Sequence, residues 1–89
     1  MNRGVLQRFG ARVRYERERA GISQETLADL AGLHRTYLGG VERGERNIGL
    51  LNLVRLARAL KITPSKLMAD AGLDADGILT ESMPDEALE

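Results

Sequence analysis

The stretch SQETLADLAGLHRTYLGGVERG, residues 23–44, decides how the chain is read. Leu27, Leu30 and Ala31 stand at i, i+3 and i+4, the spacing of a short helix that turns one apolar stripe inward. Gly32 ends that helix. Leu33 opens a second segment in which Leu38 and Val41 face the same core, leaving Arg35, Thr36, Gly39 and Gly40 on the outer side. Two adjacent glycines on an outer helical face cost roughly 1 kcal/mol each relative to alanine. Their presence implies that something approaches that backbone closely.

Two short helices joined by a tight glycine turn, with arginine, hydroxyl and glycine on the open face of the second, form a helix-turn-helix. Around it the periodicity predicts three more helices. Helix one spans about Arg3 to Ala20, carrying Val5, Leu6, Phe9 and Val13 at helical spacing and arginines on its other faces. A solvated face paired with Glu16 and Glu18 is the ordinary explanation of those arginines, and only those near the start of helix two are within reach of phosphate. Gly21 ends helix one, and Ser23 caps helix two, 24–31, with Thr26 where a full capping box would hold Glu.

Helix three runs from about Arg35 to Val41, with His34 at its start and Gly44 as its stop. After the loop Glu45 to Ile48, Gly49 precedes helix four, Leu50 to Leu60. Its stripe is Leu53, Leu56, Ala57 and Leu60, and Leu50, Leu51 and Val54 lie partly off it. Those three are either extra core or a dimer interface. Thr63 and Pro64 supply a cap and an N1 proline for helix five, Pro64 to Ala71. The expected fold is all-α with five helices, a helix-turn-helix domain over residues 1–71 and an acidic, disordered tail over 72–89.

The whole-chain net charge of +0 hides a segregation. Residues 1–69 hold all 13 basic and 6 of the 13 acidic residues, a balance of +7, whereas residues 70–89 hold the other 7 acids and no base. A basic domain with an acidic tail points to nucleic acid. At 89 residues, with 43% hydrophobic residues but only three aromatics, the core is small, and self-association is expected. The absence of cysteine excludes disulfides and thiolate metal sites. No apolar run is long enough to span a membrane and no signal peptide is legible, so the expected location is the cytoplasm.

The chemistry follows from where each residue falls. Arg35 can bond two acceptors of guanine at once, and Thr36 can hydrogen-bond a base edge or touch a thymine methyl. These are the expected base readers, with Tyr37 either a further contact or a rim aromatic. Gln24, at the start of helix two, and His34, Arg43, Arg46 and Asn47, around helix three, are candidates for phosphate. Gly39 and Gly40 would give clearance for close backbone approach. One histidine without a second ligand nearby makes no metal site, and no nucleophile and base pair or phosphate-cradling loop stands out. No cofactor, no metal and no catalysis are expected.

Residues 9–67, with GISQ at the start of helix two, AGLHRTYL leading into helix three and VERGERN after it, resemble the Xre and Cro family of phage-repressor-type (lambda repressor-like) DNA-binding domains. The segment HRTYLGGVERGERNI is similar in particular to the controller proteins of restriction-modification systems. The resemblance implies a homodimeric transcription regulator acting on inverted-repeat double-stranded DNA, dimerising through helix four and the chain after it. It makes Gln24 and Arg43 phosphate contacts, Arg35 and Thr36 base readers, and Arg17 and Glu42 a buried structural ion pair. Two departures stand out: Glu16 occupies a position where the family often has leucine, which loosens helix one unless Tyr15 compensates, and Gly39 one where controllers often have serine. The competing reading is an antitoxin-like protein-interaction module whose acidic tail binds a protein partner.

Overall fold

The computed structural model describes residues 3–69, and the expectations for residues 72–89, tail and partner included, lie outside the described residues. The chain forms α1 (Arg3–Arg19), α2 (Gln24–Ala31), α3 (Arg35–Glu42), α4 (Leu50–Leu60) and α5 (Pro64–Met68), with no strand among the described residues. The starts of α2 and α5 have local causes. Ser23 adopts an extended conformation and its hydroxyl accepts the Thr26 backbone N–H, so α2 begins with one of its free donors satisfied. The Thr26 hydroxyl accepts from Ser23 Oγ at 3.0 Å, whereas a capping-box glutamate at this position would accept from the Ser23 backbone N–H. Gly32, in the left-handed region at φ 71°, closes α2, and its N–H bonds back to the carbonyls of Ala28 and Asp29. Thr63 caps α5 as Ser23 caps α2.

The core is aliphatic. Phe9 and Val13 from α1 meet Leu27, Ala28 and Ala31 from α2, Leu38 and Val41 from α3, Leu53, Leu56, Ala57 and Leu60 from α4, and Leu67 from α5. Fully burying each leucine contributes about 1.5–3 kcal/mol. α3 packs on α1 and α2, α4 on α2, and α5 closes the far side against α1 and α4. The α1–α3 contact is very close at Gly10: a Cβ there would stand 2.6 Å from the Glu42 carbonyl oxygen. Only a residue without a side chain lets the helices approach that far.

Three expectations about burial are corrected. Leu30, placed in the apolar stripe of α2, is 62% exposed, and Ala28 takes the inward position. Gly39 and Gly40, placed on the outer side of α3, are buried. Glu16, expected to loosen α1, is only 5% exposed, while Tyr15 lies open and does not compensate. Arg12 satisfies the Glu16 carboxylate instead, with Nη2 at 2.8 Å and Nε at 2.9 Å, and Arg19 Nη1 stands 3.8 Å away.

Candidate nucleic-acid interface

The surface built by α2, α3 and the loop after α3 takes its shape from an ion pair. Arg17 of α1 donates from Nε to Glu42 Oε2 at 2.7 Å and from Nη2 to Glu42 Oε1 at 3.1 Å. Its third nitrogen donates to the Ile22 carbonyl at 3.0 Å, so one guanidinium ties together α1, the turn before α2 and the end of α3. The paired hydrogen bond to Glu42 raises the Arg17 pKa against the lowering effect of partial burial. Glu42 also accepts from Gln24 Nε2 at 3.0 Å. The Gln24 amide is therefore turned with its N–H end inward, and its carbonyl oxygen lies toward Gly39, 3.8 Å from where a Cβ there would sit.

Arg35 and Thr36, in the first turn of α3, are exposed. The apolar positions Leu38 and Val41 take the buried side of this helix, which leaves its N-terminal polar residues free to meet a ligand. His34 occupies the N-cap position but its side chain makes no cap hydrogen bond. Tyr37 is half-buried, its ring packed against the core and its hydroxyl accepting from Asn52 Nδ2 of α4 at 3.3 Å.

Beyond α3 the chain turns through Gly44, at φ 75°, and presents Arg43, Arg46 and Asn47 to solvent. Arg43 pairs with Glu45 at 3.1 Å on the surface, and that hydrogen bond, with the added charge attraction, raises its pKa. What covers the two buried glycines is the protein's own arginines. A Cβ on Gly39 would stand 3.1 Å from Arg43 Nη1, and one on Gly40 would stand 2.8 Å from Arg46 Cγ. The glycine pair thus seats two cationic side chains against α3.

At the start of α4, Leu50 and Leu51 are 77% and 64% exposed and Val54 is half-buried. Among the described residues no three histidine or acidic side chains converge as a metal site, and no helix is long and apolar enough to cross a membrane.

Sequence reasoning passed over two residues of this region. Gly10, inside α1, was legible in principle as a glycine that lowers helix propensity without ending the helix. Asn52 left no such signal, because a polar residue in the first turn of α4 is ordinary and its partner Tyr37 is 15 residues away.

Comparison with known proteins agrees with this geometry. Residues 13–67 match the family model described as helix-turn-helix. The control protein C.SmaI of Serratia marcescens is 51% identical over 61 residues, 68% of this chain and 73% of the relative. C.BamHI of Bacillus amyloliquefaciens is 39% identical over 69 residues, covering 76% and 85%. The crystal structure of the restriction-modification controller protein C.AhdI from Aeromonas hydrophila superimposes with a TM-score of 0.69 at 56% identity, over 70% of this chain and 94% of that one. The chain belongs to the Xre-like helix-turn-helix family of DNA-binding transcription regulators, alongside the restriction-modification controller proteins.

Proposed function

We propose that the protein is a controller of a restriction-modification system that binds an inverted-repeat operator as a homodimer in the cytoplasm. The observation that carries this reading is the exposure of Arg35 and Thr36 in the first turn of α3, beside the arginines seated on Gly39 and Gly40. In a dimer formed through Leu50, Leu51 and Val54, two copies of α3 would enter successive major grooves about 34 Å apart. Arg35 and Thr36 read base edges, Tyr37 makes a mixed contact, and His34, Arg43, Arg46 and Asn47 hold the phosphates on either side, joined by Gln24 through the second amide proton that its bond to Glu42 leaves over.

Selection of bound sites from random DNA tests the reading. The expected product is a two-fold symmetric site with half-sites about one helical turn apart. On that site a dimer that neutralises roughly 6–10 phosphates loses about three to five powers of ten in affinity between 50 and 200 mM salt. An asymmetric product, or a nearly flat salt dependence, contradicts the proposal.

A further inference from the structure

We propose that Asn52 is a positioning residue that makes the Tyr37 hydroxyl a hydrogen-bond donor toward DNA, and so selects which groups Tyr37 can recognise. The inference rests on the reading above, in which Tyr37 meets the operator. Asn52 and Arg55 lie one turn apart on α4, and Arg55 Nη1 donates to Asn52 Oδ1 at 3.4 Å. A guanidinium has no acceptor, so it engages only the carbonyl end of the amide. The NH2 end is thereby turned to Tyr37, and Asn52 Nδ2 donates to the phenolic oxygen at 3.3 Å.

With one of its lone pairs occupied, the Tyr37 hydroxyl keeps its proton for a partner outside the protein. Because the ring is packed against the core, the direction of that proton is what α4 has left to set. The partner chemistry is then an acceptor on a base edge: N7 of either purine, O6 of guanine, or O4 of thymine. The amino groups of adenine and cytosine are disfavoured.

The full-length protein and the selected operator test this through a double-mutant cycle. Asn52→Asp replaces a donor with a carboxylate that only accepts, so Tyr37 gives its proton to Asp and has none for DNA. Tyr37→Phe is expected to lower operator affinity about tenfold, and Asn52→Asp at least as much. In the Tyr37→Phe background Asn52→Asp should cost about tenfold less than it does alone, because only the repulsion of the added charge remains. Both single variants should relax preference at the same base pairs, with the thermal midpoint and dimer mass checked in parallel.

If the two losses multiply without coupling, Asn52 does not act through Tyr37 and the proposal is overturned, while the regulator reading stands. If Tyr37→Phe costs nothing, Tyr37 does not donate to DNA and the proposal is overturned at its premise. Failure of the wild-type chain to bind any selected site overturns the functional reading itself, and this inference with it.

Discussion

Arg17 and Glu42, 25 residues apart in sequence, meet through two hydrogen bonds of 2.7 and 3.1 Å, with the Glu42 side chain 3% exposed. The pair joins the last turn of α1 to the last turn of α3, and the same carboxylate holds Gln24 at the start of α2. Removing one partner leaves the other charge largely desolvated. Arg17→Ala or Glu42→Ala should each destabilise the fold by about 3 kcal/mol, a large share of the total for a domain this small. The double variant Arg17→Met with Glu42→Leu should recover much of that loss in urea denaturation. Because Glu42 raises the Arg17 pKa, the arginine's contribution is fully present below its unfolded value and declines only in strong alkali. The stability difference between wild type and the Arg17→Met, Glu42→Leu double variant should therefore be equal at pH 7 and at about pH 10.

Gly10 and Gly32 should respond differently to the same methyl group. At Gly10 the new Cβ collides with the backbone carbonyls of Val41 and Glu42, which cannot move without parting α1 from α3. Gly10→Ala is expected to cost about 3 kcal/mol. Gly32 has open space around it, and only its φ of 71° resists a side chain. Gly32→Ala should cost about 1 kcal/mol. Equal losses in denaturant titrations would refute the close-approach argument for Gly10.

The glycine pair in α3 separates stability from binding. Alanine improves helix propensity by up to about 1 kcal/mol per site. At position 40, however, it displaces Arg46, whose Cγ lies 2.8 Å from the new methyl, whereas at position 39 it meets the end of the Arg43 side chain at 3.1 Å. Gly40→Ala should keep the thermal midpoint and weaken operator binding about tenfold, with a smaller effect for Gly39→Ala. Unchanged affinity in both variants would remove any role of these glycines in docking.

Leu50 and Leu51 carry the dimer proposal. Their exposed side chains on α4 should be covered in solution by a second copy. Leu51→Asp should shift sedimentation at micromolar concentration from dimer to monomer and lower affinity for the full inverted repeat at least tenfold, with little change for one half-site. A dimer that survives both Leu50→Asp and Leu51→Asp places the interface elsewhere.

Most of the helical architecture was legible because its signals are local. Ser23, Gly32, Thr63 and Pro64 act within four residues of themselves, and the stripe of α4 repeats every three or four positions. The exposure of Arg35 and Thr36 was legible for the same reason, since the inward positions of α3 are filled by Leu38 and Val41. The errors arose where a second element intervened. Leu30 matches a helical stripe as well as Leu27 does, yet the neighbours of α2 lie on the side of Ala28. Gly39 and Gly40 looked bare because the residues that cover them, Arg43 and Arg46, belong to the chain that folds back after the helix.

Periodicity and caps were enough to establish five helices and the outward first turn of α3, since each depends on residues a turn or two apart. Packing alone decided that Glu16 is buried on Arg12, that Gly10 admits α3 to contact, and that Gln24 and Tyr37 are oriented by Glu42 and Asn52. Each of the last three joins different helices, and a hydrogen bond or steric fit between helices exists only once the core has set their distance and angle.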